Sequence, residues 1–163
     1  MLRSAARGIV AGTIGTLAMS GFAYTIRRVA TPLVPAGETH YERVGIALTG
    51  LSKGLTTEAA FEDPDALMDL PTRRRLGEAL HFVFGMLNGV PLALLASRRG
   101  RDITLVEGAA TGVALWLVGF LAYLPRLGVT HGYAAMDTQE KVRSVGAHLT
   151  YGTITALALR RPR

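Results

Sequence analysis

The chain has 163 residues, nearly half of them apolar, with no cysteine and a formal net charge of +6. That length suffices for one domain or for four membrane spans with their loops, and the lack of cysteine excludes a disulfide framework and thiol chemistry. The charge is not that of a nucleic-acid binder, which gathers its basic residues on one soluble face; here arginines stand at the ends of apolar blocks.

In chain order, Arg3 and Arg7 precede a first uncharged block of 19 residues, Gly8 to Ile26. About 18 or more uncharged residues form a membrane-spanning helix, since about 20 residues cross the hydrocarbon at 1.5 Å each. The start resembles a signal peptide but lacks a small-x-small cleavage site, so a retained first helix is expected. The segment from Arg27 to Leu76 is a long extramembrane loop opened by Pro32 and Pro35. Within it, Tyr41, Val44, Leu48 and Leu51 fall on one face of a helix over Glu38 to Ser52, suited to the bundle surface or the membrane interface. The acidic stretch Glu58 to Pro71 predicts a second short helix or packed loop, with breaks at Pro64 and Pro71.

The second block, Ala79 to Ala96, has no formal charge but contains His81, Asn88 and a kinking Pro91. The third, Gly108 to Pro125, holds 18 residues including Trp116, Phe120 and Tyr123, and Glu107 stands at its start. The fourth, Ser144 to Leu159, is the shortest and weakest, with His148 as its ionisable group. Small residues recur at four-residue spacing in every block: Gly8, Gly12, Thr16 and Ser20; Gly85 and Gly89; Gly108 and Gly112; Gly152 and Ala156. Such spacing lets helix backbones approach closely in lipid, where apolar burial gives no drive to associate.

Two phrases recur. His81-Phe82-Val83-Phe84-Gly85 opens the second block and His148-Leu149-Thr150-Tyr151-Gly152 the fourth, while Gly8-x-x-x-Gly12 and Gly108-x-x-x-Gly112 begin the first and third. The expected fold is therefore all-α: a four-transmembrane-helix bundle with a twofold two-helix repeat, halves at about 1–100 and 101–163. The whole chain is read as one integral membrane domain, with 27–76 as a partly helical loop subdomain. Eight arginines against the single Asp102 mark the amino terminus, the link 97–104 and the carboxyl-terminal tail, whereas ten Lys and Arg spread over the other loops. Dense basic charge in short segments marks the cytoplasmic side, so both ends are expected in the cytoplasm, at the inner membrane.

The residues that could carry chemistry are few. Ionisable groups within a span usually face the interior and often mark proton or ion pathways, which makes His81 and His148 a candidate pair. Glu78, one turn before His81, could be its carboxylate partner. Glu107 could serve an inner mouth, although a carboxylate at a helix start also caps and meets the helix dipole. Asn88 beside Pro91 could line a polar cavity or simply bond across helices. His40 and His131, in the loops, could in principle complete a site. No nucleotide loop, catalytic triad or zinc-protease helix is present, and two histidines at this spacing are not a metal signature.

The three readings in order are a structural or interaction membrane protein, a small proton-linked carrier or channel using the histidine pair, and a membrane enzyme acting on lipid through Glu78 and His81. The first predicts no cofactor, the lipid bilayer as surroundings and a homo-oligomer as a candidate assembly. Gly8-Ile9-Val10-Ala11-Gly12-Thr13-Ile14-Gly15-Thr16, His81 to Gly85 and His148 to Gly152 give the chain a pattern that resembles the small bacterial inner-membrane proteins grouped with YagU. That resemblance implies a four-helix membrane protein and brings no activity with it.

Overall fold

A computed structural model of the chain describes residues 1–30, 40–129, 136 and 138–160, with backbone alone at Arg27 and Ala30. The described residues are helical and contain no strand. The elements are α1 (Leu2–Ala30), α2 (His40–Ser52), α3 (Thr57–Glu62), α4 (Pro64–Leu67), α5 (Leu70–Arg99), α6 (Leu105–Val118), a π-helical turn (Gly119–Tyr123), α7 (Leu124–Arg126) and α8 (Thr138–Ala158). Pro32, Pro35 and His131 lie outside the described residues.

Three stretches are long and apolar enough to cross a membrane: Leu2–Ile26, Leu70–Arg99 and Leu105–Arg126. Each helix outruns its uncharged block, and local capping sets the extra turns. The extension of α5 back to Leu70 follows from Asp69, whose carboxylate accepts the Thr72 N–H at 3.0 Å, with Pro71 in the first turn, where its missing N–H costs nothing. Pro64 likewise opens α4 behind Asp63, which accepts the Ala66 N–H. The two prolines expected as breaks thus stand in the first turns of new helices.

The third span runs through its proline and ends one residue later, at Arg126. The Leu124 N–H reaches back five residues to the Gly119 carbonyl, a wide π turn placed just before Pro125. An α-helical path would press the proline ring on the carbonyl four residues earlier. The chain then closes on Gly128, at φ +66°. The Val129 N–H bonds the Leu124 carbonyl and the Gly128 N–H the Pro125 carbonyl, each at 3.0 Å. That left-handed cap favours glycine.

The chain divides into two compact units. The first comprises the described parts of Met1–Val34, Phe82–Trp116 and Asp137–Arg163. In it α1 packs on α8 and on α5, and α6 packs on α8. Ala11, Leu92, Ala93, Ile103, Ala156 and Leu159 form a buried apolar cluster there. The apolar side chains of the three span-length stretches mostly face outward, with only 22% of each apolar window buried. α8 falls outside that set because Glu140, Lys141 and Arg143 occupy its first turns. Its second half is the opposite: Tyr151, Gly152, Thr155 and Ala156 are all buried, because that half contacts α1, α5 and α6.

The second unit comprises the described parts of Pro35–His81 and Leu117–Met136. It holds α2, α3, α4, the start of α5 and the π turn with α7. Val44, Ile46, Ala47, Ala60, Phe120, Leu124, Val129 and Met136 are its buried apolar residues among those described. The amphipathic helix read over 38–52 is α2, and the acidic stretch forms α3 and α4.

Candidate functional site

In the first unit, glycines bring backbones into contact. A Cβ added to Gly8 would lie 2.6 Å from the Cα of Val90 and 2.8 Å from the Gly89 carbonyl oxygen. One at Gly108 would lie 2.5 Å from both the Gly152 carbonyl oxygen and the Ala156 Cβ. Gly12 faces the Gly85 carbonyl, Gly112 the His148 carbonyl, and Gly15 the Thr155 side chain. No residue with a side chain fits these positions unless the helices move apart.

The two glycine pairs share a register. The Gly89 position meets the Gly8 carbonyl and the Gly12 backbone; the Gly152 position meets the Gly108 carbonyl and the Gly112 backbone. Matching them equates Gly89 with Gly152 and Gly85 with His148. The repeated His phrases equate Gly85 with Gly152 instead. Contact geometry and phrase therefore differ by one helical turn. In the first pair, glycine stands where the second pair has its histidine.

His148 is about one turn from Ser144. Its Nδ1 lies 2.8 Å from the Ser144 carbonyl oxygen, a bond made in the tautomer with the proton on Nδ1. The Ser144 hydroxyl accepts the Trp116 indole N–H at 2.9 Å, so one turn of α8 holds both rings. Tyr151 donates to the Gly85 carbonyl at 2.6 Å across to α5. Ser144 and Tyr151 were not read as site residues from sequence; the available signal was a hydroxyl one turn before, and another three residues after, a histidine in a span. Asn88 donates to the Phe84 carbonyl of its own helix at 2.8 Å.

His81 belongs to the second unit, so the two candidate histidines fall in different units. Its ring stands edge-on to Tyr41 with centroids 4.6 Å apart, and the His40 ring stands likewise to Phe120 at 5.0 Å. Glu78 is exposed. In the same unit the Arg43 guanidinium lies 4.2 Å over the Phe61 ring while its Nε–H donates to the Val129 carbonyl at 2.7 Å. Arg73, 6% exposed, pairs with Asp65 at 2.6 Å. These contacts tie the short helices of the second unit together. The Thr72 bonds hold the Asp69 carboxyl below its ordinary value.

Glu107 completes a capping box. Its carboxylate accepts the Thr104 N–H at 2.8 Å, and the Thr104 hydroxyl accepts the Glu107 N–H at 3.2 Å. The same carboxylate receives Arg101 at 2.6 Å and Arg99 at 2.8 Å. The bond to Glu107 raises the Arg101 guanidinium above its ordinary value. Five donors meet on this carboxylate, and the one from Arg99 ties α6 to the end of α5.

Beside this knot is a cleft of about 40 Å³ lined by Ser4, Arg7, Ala93, Ala96, Ser97, Asp102 and Leu159. Arg7 forms part of its wall and donates to the Leu159 carbonyl at 2.7 Å. Among the described residues no three His, Asp or Glu side chains gather as a metal site requires. Compared with protein-family profiles, curated protein sequences and solved structures, the chain has no match.

Proposed function

We propose that the protein is a structural or interaction protein of the membrane, built as a four-helix bundle in which α8 is the fourth helix. The observation that carries this reading is where its polar groups bond. His148 and Asn88 bond carbonyls of their own helices, Glu107 is held in a cap and two ion pairs, and helices meet through glycine backbones. Such a chain has its polar side chains at work on packing.

Lipid as the surrounding medium is supported by the outward stripe of α1. Val10, Ile14 and Leu17 are exposed between Arg3 at one end and Tyr24 at the other. Twenty-one residues of helix separate those ends, about 31 Å at 1.5 Å each, which matches a hydrocarbon core of about 30 Å. Arg28 lies over the Tyr24 ring at 4.8 Å, an interfacial arrangement of basic and aromatic side chains. α8, too polar to face lipid along its whole length, is shielded by three neighbours. The matched glycine contacts support a twofold repeat offset by one turn from the His phrases, within the YagU-like class. The arginine distribution supports both ends in the cytoplasm at the inner membrane. A homo-oligomer would use the exposed apolar faces.

Two measurements test the reading. The chain is expected to stay with membranes through alkaline carbonate washing. In proteoliposomes it is expected to leave a pH gradient intact, with His81→Gln and His148→Gln together altering thermal stability alone. A proton flux that vanishes in the double variant would replace this reading with the carrier.

A further inference from the structure

We propose that one flank of α5 is the seam of a homodimer in which the Asn88 amides of two copies bond each other, an inference that rests on the membrane reading above. Phe84, Asn88, Pro91 and Leu95 follow one another at spacings of four, three and four residues. That is the 3.5-residue period of two helices wound left-handed around each other. Phe84, Pro91 and Leu95 are exposed and Asn88 is partly so, which leaves the flank open. The face of α5 that packs inside the unit is a different one, formed by Gly85, Gly89, Leu92 and Ala93, all buried.

Lipid is a poor occupant for this flank. Ten residues separate Asn88 from Arg98, about 15 Å of helix at 1.5 Å each, half the depth of a hydrocarbon core of about 30 Å. There the amide makes one bond among the described residues, from its Nδ2 to the Phe84 carbonyl of its own helix. An amide has two N–H donors and a carbonyl with two lone pairs, so one donor and the Oδ1 are left over. Pro91 adds a second polar group. It has no N–H, so the Leu87 carbonyl one turn earlier lacks its regular helical donor. Polar groups without partners are costly in hydrocarbon, where no water reaches them.

A second copy of the chain supplies what lipid does not. An amide is both donor and acceptor, so it is its own complement. Two copies inserted in the same orientation pair about a twofold axis along the membrane normal, which sets Asn88 against Asn88 at one depth. The two α5 helices then run parallel, the arrangement in which a single asparagine in an apolar seam fixes register and holds the assembly at two strands. A different membrane protein would need a polar group of its own at that depth, and this chain already carries one.

The chain has no cysteine, so single cysteines report the seam directly. In native membranes, Phe84→Cys and Leu95→Cys are each expected to form a disulfide-linked band at twice the mass of the chain. Val10→Cys, exposed on α1, should stay monomeric. In liposomes, energy transfer between labelled copies is followed as added lipid dilutes the protein. Asn88→Leu should raise the dissociation constant about tenfold, the scale of one interhelical bond in lipid. Leucine is a strong helix former, so that variant keeps α5. Leu17→Ala, exposed on α1, should associate like the parent. A parent monomeric at every dilution, equal cross-linking through Val10→Cys, a cross-linked band of another mass, or an Asn88→Leu that associates like the parent would each overturn the proposal. Carbonate washing separates the two failures: a chain that washes off overturns the membrane reading, and one that stays but does not dimerise overturns the seam alone.

Discussion

The two units of this chain solve the packing problem by different means. In the first, long helices meet at Gly8, Gly12, Gly89, Gly108, Gly112 and Gly152, and apolar side chains face out. In the second, the short helices α3 and α4 and the start of α5 are opened by Thr56, Asp63 and Asp69, the chain turns at Gly54 and Gly128 in the left-handed region, and Arg43 and Arg73 tie the unit together. On the proposed membrane reading, the contrast is what a change of solvent demands of the glycine-packed helices of the first unit and the short helices α2, α3 and α4 of the second. In lipid, burying apolar surface gains nothing, so close backbone approach and dispersion must hold helices together. In water, caps and charged side chains satisfy the many helix ends that short elements create.

The two units differ most sharply at the glycines. Gly12→Val or Gly152→Val should destabilise the first unit by about 3 kcal/mol or more, because each added side chain meets backbone that a rotamer change cannot clear; unfolding in detergent measures it. Next comes Arg43→Ala, expected to cost about 1–3 kcal/mol by leaving the Val129 carbonyl without its donor and uncovering Phe61. Its effect should appear as faster hydrogen exchange in α2 and α3, with the amides of α1 and α8 unchanged. Thr56→Ala removes one cap, a loss of about 1 kcal/mol, read in the same experiment at α3.

Acid should weaken the start of α5 selectively. The folded state holds the Asp69 carboxyl below its ordinary 3.8, chiefly through the Thr72 bonds, so its contribution is complete above that value. It is lost as the pH falls from there through the depressed folded value. Exchange of the Thr72 and Arg73 amides should therefore accelerate in that window, and Asp69→Asn should remove the pH dependence.

Much of the first unit was legible in the sequence. Uncharged runs located three helices, and glycines at four-residue spacing located the contact stripes. The register was not legible, because a repeated phrase reports similar sequence while backbone contact depends on which turn of one helix faces the other. That is why Gly85, and not His81, corresponds to His148 in the packing. The second unit was legible as α2 and as breaks at proline. The early start of α5 was missed because Arg73, Arg74, Arg75 and Glu78 look like loop, yet Asp69 followed by Pro71 and Thr72 is a helix start. The Glu107 cap was legible from its place at a helix start, and its pairing with Thr104 and two arginines was not. The π turn had no signal beyond Pro125.

Glycine contacts, and not histidine chemistry, are what the first unit needs. The most direct test is thermal unfolding of Gly152→Val and His148→Gln, purified side by side in the same detergent. Gly152→Val is expected to lose its cooperative transition or unfold far below the parent, while His148→Gln stays within about 4 °C of it, a change of under about 1 kcal/mol. A collapsed His148→Gln beside a parent-like Gly152→Val would contradict it.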